Sequence, residues 1–259
     1  MNNANAYKIL YPYNILTRSL FQNFVVSIHH TTLRYIKRNS EWVLWERQGG
    51  GGSTQQSNPN DWKDQMKEIC SFSTVEDFWR YYNHMPKPSQ IFFDGDTKKR
   101  VQVGGDGNGG GKTKTVIEYN LFKRGIVPEW ADPQNATGGS FFIRQSLEMN
   151  VLDMFWQNLV MGLVGESLED KSDANGNGNG TSNGNNNNNA KRGLDCICGA
   201  RVVDKGRNMP IFRVELWINT RDAEIKDRMK SNLVECLMDG LPTSALRKGP
   251  PKFDWKDHD

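Results

Sequence analysis

The chain of 259 residues is long enough for one sizeable domain or two small ones, and its low hydrophobic share of 36% reflects polar inserts more than its periodic segments. A net charge of +3 excludes a non-specific nucleic-acid coat but permits a local basic pocket, while four cysteines exclude a disulfide scaffold and fit a reduced intracellular setting. No apolar leader core opens the chain and no stretch approaches the ~20 apolar residues of a membrane span, so a soluble protein, cytoplasmic and with the nucleus as a second compartment, is expected.

Residues 1–38 read as an N-terminal extension, flexible in part, in which Phe21 to Ile36 fits a strand or a short helix equally well. Trp42-Val43-Leu44-Trp45-Glu46 is a strand with aromatics among its apolar positions. After a glycine-rich insert near 49–60, Thr74 is a good N-cap with Asp77 three residues on. Val75, Phe78, Trp79 and Tyr82 follow at helical spacing and stop before Pro86. A Gly/Lys insert is expected at 94–114, a strand at Phe141 to Ile143, and a helix from Asn150 to Gly165 on the period of Leu152, Phe155, Trp156, Leu159 and Leu163. The Asn/Gly run at 171–193 cannot bury enough surface to order itself. Ile197 to Val203 and Ile211 to Ile218 read as paired strands, Arg221 to Met238 as a last helix, and the rest as a basic tail. The order implies an α+β domain over 39–259, an antiparallel sheet with helices on one face.

Several motifs fail on inspection. Gly105, Gly107 and Gly110 fit G-x-G-x-x-G and Gly111-Lys112-Thr113 looks like a phosphate-loop tail, but Asp106 stands where a Walker glycine is needed and no strand runs into a helix there. Cys196 and Cys198 lack zinc-site spacing and partner pairs. His29 and His30 have no acidic or nucleophilic companion, and no carboxylate pair is placed as acid and base, so neither an enzyme nor a metal or other cofactor is read here.

The chemistry centres on Asn120 to Asp132. Gly125 and Pro128 shape a turn that carries Trp130, an indole poorly placed for a core and well placed to stack on a flat ligand. The stretch Leu121-Phe122-Lys123-x-Gly125-Ile126-x-Pro128-x-Trp130 resembles a motif of the eukaryotic translation initiation factor 4E family, the messenger-RNA cap-binding proteins. Trp42-Val-Leu-Trp45, Thr74-Val75-Glu76-Asp77-Phe78-Trp79 with Tyr82-Asn83-His84, Phe155-Trp156, Gly165-Glu166-Ser167 and Cys198-Gly199-Ala200 match further family anchors in family order.

The resemblance implies a curved antiparallel sheet of about eight strands with three helices on its convex face, acting as a monomer. It implies a 7-methylguanine stacked between Trp62 and Trp130, with Trp217 beside the N7-methyl group, although burial in the strand core accounts for Trp217 nearly as well. Cations for the cap phosphates are expected at Lys205 and Arg207, with Arg201 and Arg213 in reserve, and at Arg247 and Lys248 unless these form a solvated tail. Ala131 stands where the family carries the glutamate that reads the guanine edge, which leaves Asp132, or Glu129, as the acid for that task. The partners implied are capped mRNA and a helical peptide of an initiation scaffold or of a 4E-binding repressor. The peptide would meet Trp79, Val75 and Met161, positions that an amphipathic helix otherwise uses as core. Ala131 also favours an alternative, a homologue deficient or altered in cap binding that acts as an interaction module or translational repressor.

Overall fold

The computed structural model describes residues 37–50, 65–94, 97–98, 101–103, 112–168, 196–206, 210–247 and 249–258. Its strands are β1 (Lys37–Gly50), β2 (Met66–Thr74), β3 (Phe93–Asp94), β4 (Thr97–Lys98), β5 (Val101–Val103), β6 (Lys112–Lys123), β7 (Gly139–Ser146), β8 (Ile197–Asp204), β9 (Ile211–Ile218) and β10 (Asp254–Asp257). The helices are α1 (Val75–Tyr82), α2 (Pro88–Phe92), α3 (Pro133–Ala136), α4 (Met149–Val164), α5 (Ala223–Met238) and α6 (Thr243–Leu246). One curved antiparallel sheet of eight strands runs β10-β7-β9-β8-β6-β1-β2, with β5 also paired to β6.

Period-2 alternation divides the strands between two faces. Trp42 and Leu44 of β1, Tyr119 and Leu121 of β6, Ala200 and Val202 of β8, Val214 and Leu216 of β9, and Phe141 and Ile143 of β7 all enter one large core. The same core takes Phe78 of α1, Leu152, Phe155 and Leu159 of α4, and Leu233 and Leu237 of α5. Three helices therefore cover one face, as expected, and the short α2 adds Ile91 and Phe92 to it. Trp42 and Trp156 are core, whereas Trp45, one residue out of phase with Leu44, is half-buried away from that cluster.

Asn158 of α4 is buried inside this layer, and its Nδ2 donates to the carbonyls of Leu237 (3.3 Å) and Asp239 (2.8 Å), tying α4 to the end of α5. The predicted cap of α1 is present. Thr74 Oγ1 accepts from the Asp77 backbone N–H at 3.1 Å, which satisfies a first-turn donor. Thr74→Ala should cost about 1 kcal/mol, read as a shift in the denaturant midpoint without a change in slope; an unchanged midpoint would show that the cap carries no net stability.

Two expectations need correction. The stretch 94–114 contains β5, the end of β3, β4 and the start of β6, so part of it is ladder rather than a glycine loop. Lys112 pairs with Val103, which removes the phosphate-loop reading. The tail after Leu241 holds α6 and then β10, which adds to the free edge of β7 through Trp255↔Phe141 and Lys256↔Ser140. A strand of four residues with an exposed pattern carries little signal of its own, and the available edge decides its pairing.

Candidate functional site

On the face opposite the helices, directly paired residues line up in rows, because partners across an antiparallel pair project to the same side. One row is Phe122, Gly199, Trp217, Ser140 and Lys256. The next is Asn120, Arg201, Glu215 and Phe142, and the third is Glu118, Val203, Arg213 and Arg144. An aromatic row thus borders two charged ones.

The aromatic row is tight. Trp217 is fully buried with Phe122, Ile126 and Cys198, and its ring meets Phe122 edge-on at 5.3 Å. Gly199 makes room for this contact: a Cβ there would lie 2.5 Å from Phe122 Cγ and 2.6 Å from the Leu121 carbonyl. Trp217 Nε1 donates to Glu215 Oε2 at 2.7 Å, and the Arg201 guanidinium lies over the indole at 4.7 Å. Trp217 is thus buried in the sheet, as the strand-core alternative expects.

Glu215 is the hub of the charged rows. Arg201 Nε lies 2.9 Å from its Oε2 and Arg213 Nε 2.7 Å from its Oε1. Burial pushes the Glu215 carboxyl up, but Arg201 and Arg213 outweigh it and hold it below its ordinary value. Burial likewise opposes the charge on Arg201, yet Glu215 and Glu118 keep its pKa raised. Arg47 reaches Glu118 at 3.5 Å. Among the described residues, the cations Arg47, Arg144, Arg201, Lys205 and Arg213 outnumber the carboxylates Glu118 and Glu215. The surplus is felt at Lys205 and Arg213, whose pKa values are lowered by burial first and, in each case, by repulsion from Arg201. Arg213 Nη2 is buried without a hydrogen-bond partner among the described residues. Such a cluster is poised for an anion, which would relieve the repulsion.

Trp130 sits on the loop after β6. Gly125 turns the chain at φ +87°, a left-handed conformation that suits glycine. The loop is held by its own residues: Asp132 Oδ2 accepts from the Val127 N–H and Oδ1 from the Gln134 N–H, each at 2.9 Å. Asn135 Nδ2 donates to the carbonyls of Val127 and Glu129, both at 2.8 Å. The indole is 36% exposed, has Lys256 Nζ over its ring at 3.8 Å, and lies nearly parallel to the His258 imidazole, 15° apart with centroids at 6.1 Å. His258 also packs on Trp217 with centroids at 4.1 Å, and burial lowers its pKa, which favours the neutral ring. Arg221 clamps this corner, donating to the carbonyls of Gly138 and His258.

The structure brings together Trp130, Trp217, Arg201, Lys205 and Arg213 on one side of the sheet. Of these cations, Arg201 is the most committed to protein carboxylates. Asp132 is engaged by the loop N–H groups and Glu129 is half-buried beside it. Arg247 is exposed just past α6. Trp62, Arg207 and Lys248 lie outside the described residues. On the helical face, Val75 is buried, while Trp79 and Met161 are half-buried. Sequence reasoning missed His258, Lys256 and Glu215; alternation within Arg213-Val214-Glu215-Leu216-Trp217 could have flagged Glu215, but nothing local marks the other two. Among the described residues no group of His, Cys, Asp and Glu could hold a metal ion, and no helix is long and apolar enough to cross a membrane.

The family profile described as eukaryotic initiation factor 4E matches residues 37–258. The eukaryotic translation initiation factor 4E of Xenopus laevis is 33% identical over 144 residues, 54% of this chain and 54% of that protein. That of Eremothecium gossypii is 30% identical over 139 residues, 53% of each chain. The Aplysia californica protein of the same name is 31% identical over 193 residues, 74% of this chain and 64% of its own length. The chain spans about half the length of the first two of these relatives. Among solved structures, Ascaris suum eIF4E-3 with the m7G cap superposes with a TM-score of 0.55 at 23% identity, covering 87% of this chain and 93% of the other. Caenorhabditis elegans eIF4E-3 in complex with the 4E-binding protein Mextli gives a TM-score of 0.54 at 22% identity, covering 87% and 94%. The structural likeness establishes the fold, and the profile match along the sheet and its helices establishes descent: the chain belongs to the eukaryotic initiation factor 4E family.

Proposed function

We propose that this protein binds the 7-methylguanosine 5′ cap of mRNA and acts in translation initiation. The observation that carries the reading is the exposed Trp130 indole, held on a self-braced loop beside a sheet face with surplus positive charge. N7-methylation makes the purine cationic, so a Trp face adds a cation–π contribution of ~0.5–2 kcal/mol to base stacking worth ~1–3 kcal/mol. Trp62 is the second stacking ring in this reading, and Trp217 lines the floor beside the methyl group. Lys205 and Arg213 take the phosphates because both stand beside Arg201, whose repulsion an anion would relieve, with Arg207, Arg247 and Lys248 as further contributors. Solved relatives in complex with an m7G cap and with a 4E-binding protein support this assignment. The test is a tryptophan-fluorescence titration with 7-methyl-GTP and with GTP. Quenching selective for the methylated nucleotide is expected; equal response to both would overturn the reading.

A specific observation keeps a second reading in play. Residue 131 is alanine and the neighbouring Asp132 carboxylate already serves the loop, so the acid expected at the guanine edge is not supplied in the usual way. In that reading the protein acts through α1 on a helical peptide, with Trp79 as anchor and Val75 and Met161 beside it. Trp79 lies half-buried against Phe78 (centroids 5.1 Å) and Tyr82 (6.0 Å), a rigid platform that presents part of its ring.

A further inference from the structure

Arg144 is a charged residue on the site face that the proposed function leaves without a task. It lies on β7 directly opposite Arg213 of β9, on the same side of the sheet, and is exposed. Like charges directly opposite each other weaken an antiparallel pair. The usual remedy, a carboxylate between them, is missing. Glu215, diagonal to Arg144 on β9, is fully buried and engaged by Arg201, Arg213 and Trp217 Nε1. Asp254, diagonal to it on β10, forms no ion pair with Arg144 among the described residues. Glu118 stands at the far end of the same row, three strand steps of about 4.8 Å away.

Arg213 is not free to swing clear of its neighbour. Its Nε is held 2.7 Å from Glu215 Oε1, and its guanidinium lies over the Phe142 ring at 3.9 Å, so its charge is fixed on the strand that faces Arg144. Burial lowers the Arg213 pKa most, and Arg201 and then Arg144 lower it further. On the other flank, Lys205 donates its backbone N–H to the Ile211 carbonyl at 2.8 Å, which seats it beside β9. Lys205, Arg213 and Arg144 therefore follow one another from the end of β8 across β9 to β7. Lys252, just before the β10 strand that borders β7, is exposed as well.

We infer that Arg144 carries the basic row past the cap phosphates and engages the phosphodiester backbone of the RNA chain joined to the cap. The inference rests on the cap-binding reading, in which Lys205 and Arg213 already hold the phosphates nearest the base. A cation beyond these two has work only where negative charge continues past them. In a free 7-methylguanosine diphosphate it does not; in capped RNA it does, with one phosphodiester per nucleotide. A backbone phosphate beside Arg144 also relieves the repulsion between the paired arginines, so the unliganded sheet keeps a clash that the ligand removes.

The experiment titrates 7-methyl-GDP, 7-methyl-GTP and a capped pentanucleotide into wild type, Arg144→Gln and Arg144→Lys over a series of salt concentrations. Arg144→Gln should weaken the capped pentanucleotide about 5-fold, the worth of one exposed charge pair. It should also flatten the slope of log affinity against log salt by about 0.7, the signature of one phosphate contact on a single strand. Binding of 7-methyl-GDP should be unchanged, and Arg144→Lys, which keeps the charge, should retain most of the affinity. The denaturant midpoint of unliganded Arg144→Gln should stay level or rise, since the variant removes a like-charge pair. An unchanged affinity for the capped pentanucleotide would overturn the inference. So would an equal loss for 7-methyl-GTP, which would place Arg144 at the third cap phosphate; both results leave cap binding standing. A wild type that binds 7-methyl-GDP no more tightly than GDP would remove the cap reading and the inference with it.

Discussion

Glu215→Ala is expected to lower stability by about 3–5 kcal/mol, the cost of leaving buried charge uncompensated. The Glu215 side chain is fully buried between Arg201, Arg213 and Trp217 Nε1. Its removal leaves the Arg201 guanidinium with Glu118 as a distant partner at 4.0 Å, and strips the indole of its acceptor. Chemical denaturation of wild type and variant measures the loss; a change below about 1 kcal/mol would show that water or neighbouring groups compensate fully. The same carboxylate makes the fold acid-sensitive. Its folded pKa lies below the ordinary 4.5, so the unfolded chain takes up the proton first, and the stability it contributes is complete above that value and lost as pH falls beneath it. His258 acts in the same direction nearer neutrality. Its folded pKa is below the ordinary 6.5, so the unfolded chain binds the proton first and acidification from that value downward favours unfolding.

Trp130→Ala should abolish most of the affinity for 7-methyl-GTP, by about 100-fold, while leaving the fold intact. The magnitude follows from losing base stacking of ~1–3 kcal/mol together with a cation–π contribution of ~0.5–2 kcal/mol. Stability should change little, because the ring is 36% exposed and its loop is braced by Asp132 and Asn135, which the substitution does not touch. What is lost on the protein side is the parallel packing with His258 and the Lys256 contact, the latter worth roughly 0.5–1 kcal/mol at an exposed site. Calorimetric titration decides the matter. Trp130→Phe should recover part of the affinity, since a smaller ring still stacks, and a variant that binds 7-methyl-GTP as tightly as wild type would remove Trp130 from the site.

Much of the fold was legible locally because local chemistry dictates it. Thr74 caps α1 because its hydroxyl is within reach of the Asp77 N–H whatever lies beyond, and α4 announces itself because its apolar residues keep helical period over four turns. β9 alternates strongly enough, Phe212, Val214 and Leu216 against Arg213 and Glu215, to fix which of its residues face the helices. The strand content of 94–114 was hidden because its glycines resemble loop, while pairing to β6 supplies order that the local composition does not.

The site divides along the same physical line. The sequence by itself determined the family anchors, the turn that presents Trp130, and the presence of cations after β8, since each depends on residues close together in the chain. Only the tertiary structure decided how those cations are shared out, because that depends on carboxylates of neighbouring strands: Glu118 on β6 and Glu215 on β9 engage Arg201, Glu215 also engages Arg213, and Lys205 feels the repulsion of Arg201. It also decided that Asp132 accepts from its own loop, and that His258, from a tail with no pattern to mark it, lies against Trp130 and Trp217. The placement of His258 comes from β10 pairing with β7, between residues more than a hundred positions apart, and no local propensity encodes it.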